Sequence, residues 1–146
     1  MPGCASPWTH SSLISMPPET TISDPAALAA LAAVPGIPRD EEGPVFAAPW
    51  QAQAFAMALT LQQRGIFTWA EWAETLGAAR AHAATNGAPD TGETYYQGWL
   101  AALEQMVTAK GIADAAALNH TRDAWGRAAE RTQHGTPIEL GTEDFC

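Results

Sequence analysis

The stretch Gly65-Ile66-Phe67-Thr68-Trp69-Ala70-Glu71-Trp72-Ala73 decides the fold. Gly65 is a helix stop, and Thr68 followed three residues later by Glu71 is a capping box that opens a new helix. Trp69, Trp72, Ala73 and Leu76 then recur at helical spacing as an apolar stripe, with Glu71, Glu74 and Arg80 pointing elsewhere. Joined through Ile66-Phe67, the helices on either side of this turn are expected to form an antiparallel hairpin.

Working outward, the preceding helix opens at Pro49 and runs to Arg64. Trp50, Ala54, Met57 and Leu61 share one face, and Phe55 and Leu59 another. Its glutamines and Arg64 gather on no single side, so this helix is expected to touch protein on two sides. The helix after the hairpin ends in Ala84-Thr85-Asn86-Gly87, and the next is capped by Asp90 or Thr91. Tyr96, Trp99, Leu100, Leu103, Met106 and Val107 make its stripe, and Gly111 stops it. Tyr95 and Tyr96 are adjacent, so at most one of them can join that stripe fully. A last helix runs from near Asp114 to about Arg131 on a weaker stripe of Leu118, Trp125 and alanines. His134-Gly135-Thr136-Pro137-Ile138 reads as extended. The expected fold is all-α, a small bundle of about four helices with extended, partly disordered flanks.

The flanks differ from the middle in composition. Residues 1–48 hold eight of the 11 prolines and a net charge of −4. Residues 49–131 carry −2 and residues 132–146 carry −3, which completes the formal −9. The expected division is a flexible, Pro-rich acidic segment at 1–42, a helical domain at 43–140 and an acidic tail at 141–146. One short helix is expected in the first segment, with Asp24 as cap, Pro25 at the first helical position and Ala26 to Ala33 following. Met16 offers a second start, which would make residues 1–15 an upstream extension.

Composition narrows the function. Thirty-one alanines and 16% charged residues describe a helical chain with few charges. Seven basic residues against 16 acids speak against nucleic acid and anionic membrane as partners. Apolar runs fall short of a membrane span, and residues 1–23 lack the basic and apolar regions of a signal peptide. Cys4 and Cys146, at opposite ends, cannot build a disulfide framework, so the expected setting is a reducing cytoplasm.

Catalytic motifs are absent. Phosphate-loop, dinucleotide, nucleophile-elbow and zinc-protease patterns do not occur, and no two of His10, His82, His120 and His134 are three or four residues apart. Glu71, Glu74, Glu93 and Glu104 lie opposite apolar stripes and read as solvated faces. In the tail, Glu143, Asp144 and Cys146 with His134 upstream are metal-ligand types at a spacing that matches no closed site; a solvated acidic end is the plainer reading. The six tryptophans are the unusual feature. They are either core bulk or a face for another chain, since Trp and Tyr dominate interface hot spots.

Several motifs in order carry a resemblance. Pro49-Trp50-Gln51-Ala52-Gln53-Ala54-Phe55, the hairpin above, Thr94-Tyr95-Tyr96-Gln97-Gly98-Trp99-Leu100-Ala101-Ala102-Leu103-Glu104 and His134-Gly135-Thr136-Pro137-Ile138 follow one another. From about Gly43 to Leu140 the chain resembles the small accessory (activator) proteins of nitrile hydratase and of the related thiocyanate hydrolase. The same pattern is similar to the amino-terminal helical part of the nitrile hydratase β subunit, although the opening Met-Asn-Gly and His-Asp-x-Gly-Gly pattern and the following β-barrel half are missing. The resemblance implies a cytoplasmic maturation chaperone, not an enzyme. Such a protein binds the α-type subunit, whose cysteine cluster holds cobalt or iron, in place of the β-type subunit, while metal is inserted and subunits then exchange. This chain has no C-x-x-C-S-C, so it is expected to hold no cofactor stably and to handle cobalt only in transit. Trp50, Phe55, Trp69, Trp72, Tyr95, Tyr96 and Trp99 are assigned to the face that meets the α-type subunit. The alternatives are a β-like structural subunit of such an enzyme and a metal or small-molecule carrier that uses the flexible ends; an independent enzyme is the least favoured class.

Overall fold

The computed structural model describes residues 25–34, 36–41 and 43–146. The expectations for the Pro-rich segment before Pro25, including the second start at Met16 and the Asp24 cap, fall outside these residues. The described residues are all-α: α1 Pro25–Ala33, α2 Pro49–Gln63, α3 Trp69–Thr85, α4 Gly92–Ala109 and α5 Ala115–Arg131, then a short 3-10 turn, η1, at Thr142–Phe145. Extended pairing among them is limited to one isolated antiparallel bridge, Arg39 with Pro44. None of these helices is long and apolar enough to cross a membrane.

Local chemistry sets each boundary. Ala48 has no side chain with which to cap α2, but Gln51 reaches back so that the Ala47 N–H donates to its Oε1 at 2.7 Å. Gln51 is 2% exposed, and this bond satisfies a polar group that burial would otherwise penalise. The expected capping box is present: Thr68 Oγ1 accepts from the Glu71 N–H and the Thr68 N–H donates to the Glu71 carboxylate. Thr91, not Asp90, caps α4, and Asp114 caps α5 by accepting from the Ala117 N–H at 2.7 Å. Gly65, Gly87 and Gly111 follow α2, α3 and α4 with φ of 74°, 82° and 70°, where a side chain would be strained. Thr68→Ala removes one box partner and is expected to destabilise the chain by about 1 kcal/mol, read from urea denaturation, with faster amide exchange confined to the first turn of α3.

The chain divides into two compact units, one reaching to Lys110 and one containing Gly111–Cys146. In the first, α3 and α4 are the principal pair, α2 lies on α4, and α1 meets α2 and α3. The expected α2–α3 hairpin is not a principal pairing. Its link is itself core: Phe67 is 3% exposed and stacks on Trp72 at 5.3 Å, so the turn fills space that a direct helix pair would close. Lys110 Nζ meets Glu71 Oε1 at 2.7 Å and ties the end of α4 to the start of α3. Gly98 lets α3 come close; a Cβ there would stand 3.1 Å from Arg80 Cγ.

In the second unit α5 buries Ala124 and Ala128, both fully, against η1. Of the stripe expected from Leu118, Trp125 and alanines, two alanines are the buried part, Leu118 is half-buried and Trp125 is 47% exposed. Small side chains allow the close approach of the tail that a tryptophan would block.

Candidate partner-binding surface

The seven aromatics assigned to a partner face separate into two groups. Phe55, Trp72, Tyr95, Tyr96 and Trp99 are 3%, 0%, 4%, 1% and 0% exposed. They are the chain's own core, joined by ring contacts: Trp99 lies 4.8 Å from Trp72, 5.4 Å from Phe55 and 6.3 Å from Tyr96. Side chains so buried offer another chain little surface in this conformation. Trp50 and Trp69 pack against this core from its edge and keep part of their surface open.

Tyr95 and Tyr96 both enter the core, against the expectation that only one could. Two adjacent helical residues point about 100° apart, and here each direction is covered. Tyr96 meets Phe46 at 5.4 Å and donates its hydroxyl proton to the Val45 carbonyl at 3.2 Å. Tyr95 lies under the Arg80 guanidinium, 4.8 Å from its ring, and beside Gly36, whose φ of 88° keeps the loop close. The irregular segment between α1 and α2 covers Tyr96 and, together with Arg80 of α3, Tyr95, and that closure is not written in helical periodicity. Burial raises the pKa of the Tyr95 phenol and pushes Tyr96 up to about 12, so both stay neutral and neither is suited to proton transfer near neutral pH. The indole N–H groups of Trp72 and Trp99 and the Tyr95 hydroxyl are buried without a hydrogen-bond partner.

The tail differs most from its reading as a solvated acidic end. Asp144 is 2% exposed. Its carboxylate accepts from Arg131 Nε at 2.8 Å, from Arg131 Nη2 at 2.7 Å and from the Gly141 N–H at 2.7 Å. Arg127 Nε donates to the Asp144 carbonyl at 2.7 Å, and His120 Nε2 lies 2.9 Å from the Phe145 carbonyl. The Arg131 guanidinium holds the Asp144 carboxyl down to about 2. Phe145 set among acids, with Arg127 and Arg131 one turn apart upstream, is the sequence signal that could have located this contact.

The tail's metal-ligand types are therefore not assembled. Asp144 is taken by Arg131, Glu143 faces the same guanidinium at 3.5 Å, and His134 is exposed on the loop. Cys146 is disulfide-bonded, which the sequence reading did not anticipate, and a sulfur in a disulfide is no thiolate ligand. Among the described residues no group of three or more His, Cys, Asp or Glu side chains could hold a metal ion.

Comparison with known proteins agrees with the order of motifs. Residues 28–138 match the family model of the nitrile hydratase beta subunit, N-terminal. No curated protein and no solved structure gives a match. The matched stretch takes in α2 to α5 whole, well over half of the chain, and the chain belongs to the nitrile hydratase β-subunit N-terminal family.

Proposed function

We propose that this chain is a maturation chaperone that docks on the metal-bearing α-type subunit of a nitrile hydratase or thiocyanate hydrolase type enzyme, in the position of the β-type subunit, and leaves when subunits exchange. The observation that carries this reading is the family match across residues 28–138, since a β-type domain associates with other hydratase subunits. In this reading metal insertion belongs to the partner's cysteines, with cobalt as cargo and not as a resident cofactor.

The same match also favours a second reading, a β-like structural subunit. Stoichiometry separates the two. The chain, the α-type subunit and the β-type subunit are co-expressed, and the active enzyme is purified. A chaperone forms a complex with the α-type subunit that β displaces, and it is missing from the active enzyme. A structural subunit remains at a fixed ratio.

Trp50 and Trp69 carry the test of the docking face, because they can change without emptying the core. Trp50→Ala and Trp69→Ala are expected to stay folded and to weaken binding of the α-type subunit by about tenfold or more each, as interface hot spots do. Isothermal titration checks this; wild-type affinity in both folded variants would remove them from the face.

A further inference from the structure

We infer that the outward side of α2, centred on Met57, is the surface that a different subunit covers, an inference that rests on the reading above. Residues 43–63 contain no charged side chain, and Arg64 is the single charge between Glu42 and Glu71. In a chain with 23 charged residues of 146, this is a marked gap. The inner side of α2 is accounted for: Gln51, Ala54, Phe55, Ala58 and Leu59 are buried. Met57 points away from that set and is 50% exposed, with Gln53 exposed one turn before it and Leu61 half-buried one turn after. Val45, in the same charge-free stretch, is 42% exposed.

Charge depletion with Met and Trp at the surface is the composition of an interface core. A solvated helix of this length ordinarily carries Glu or Lys on its outer face, and α2 has neither. The charge balance chooses the occupant. A second copy would bring another formal −9 to an uncharged face, and that repulsion opposes self-association. The fitting occupant is a separate subunit with an apolar contact patch and a neutral or basic rim.

Met57→Glu tests this, because the position is half exposed and a folded chain can hold a carboxylate there. Ala78→Glu, at an exposed position of α3, adds the same charge elsewhere. The probe is the cognate α-type subunit, titrated into each purified full-length chain, with melting temperature and light-scattering mass recorded for the free chains. Expected are wild-type melting temperatures and monomer masses throughout, at least about tenfold weaker binding for Met57→Glu, and unchanged binding for Ala78→Glu. Wild-type binding by Met57→Glu overturns the inference and leaves the proposed function standing. A wild-type dimer that Met57→Glu dissociates, or a free variant with a lowered melting temperature, overturns it in favour of a second copy or of this chain's own segment before Pro25. No binding by the wild-type chain overturns the proposed function and this inference together.

Discussion

Trp99→Ala is expected to lower the unfolding free energy by about 3–5 kcal/mol, the usual cost of deleting a fully buried aromatic. Domains of this size have about 5–15 kcal/mol in total, so the variant should lose most of its helical signal well below the wild-type midpoint in urea. The reason is position. Trp99 is fully buried and touches the rings of Phe55, Trp72 and Tyr96, so one truncation opens a void against α2 and α3 as well as α4. Its indole N–H makes no well-formed hydrogen bond, so the loss is mainly packing and burial. Trp99→Phe should therefore be much milder, at about 1–2 kcal/mol, because it keeps most of the volume and removes an unpaired donor. Circular dichroism through a urea titration reads both variants. A loss below about 1 kcal/mol for Trp99→Ala would mean that this cluster does not hold α2, α3 and α4 together. The same experiment qualifies any binding study: Trp72→Ala or Tyr96→Ala would lose a partner by unfolding, whereas Trp50→Ala and Trp69→Ala probe the surface.

The helices were legible because their signals are local. Thr68 and Glu71, Thr91, Asp114, and the glycines at 65, 87 and 111 act within a few residues of themselves, and all appear at the ends of helices. The outward direction of each aromatic was less legible, because it depends on segments without periodicity. Phe46 and the Val45 carbonyl cover Tyr96, and Gly36 approaches Tyr95, so two adjacent tyrosines are buried where a helical wheel allows one. Met57 and Leu100, placed on apolar stripes by spacing, are 50% and 41% exposed for the complementary reason: among the described residues no segment closes over them. Family membership was readable from the order of motifs, since that order reflects the whole helical scaffold. Surface was not readable, because it is a property of the tertiary arrangement.

Arg131→Leu is expected to undock the C-terminal turn at neutral pH. Arg131 is partly exposed but Asp144 is buried, and a buried carboxylate that loses its cation must stay desolvated alone or move to water. Asp144 is that remaining charge: it keeps the Gly141 N–H but loses both guanidinium bonds, and the simplest relief is for the tail to swing out. Arg131 also holds the Glu139 carbonyl at 2.8 Å, so the substitution frees the irregular segment leading into η1 as well. The pH dependence has a fixed sign. The folded carboxyl titrates at about 2, below its ordinary value of 3.8, so docking is favoured fully above that ordinary value and the contribution is lost as pH falls from there toward about 2. Hydrogen exchange of residues 139–146, followed by mass spectrometry, should show protection in the wild-type chain at neutral pH and its loss in acid. Arg131→Leu should lack that protection at every pH, and Asp144→Asn should flatten the acid response. Arg122→Leu is the control: its contact with Asp123 is 3.9 Å, at an exposed site, and the tail should exchange as in the wild-type chain. Unchanged exchange in Arg131→Leu would mean that Phe145 and the His120 contact hold the turn without the ion pair, and that the carboxylate follows the docking instead of causing it.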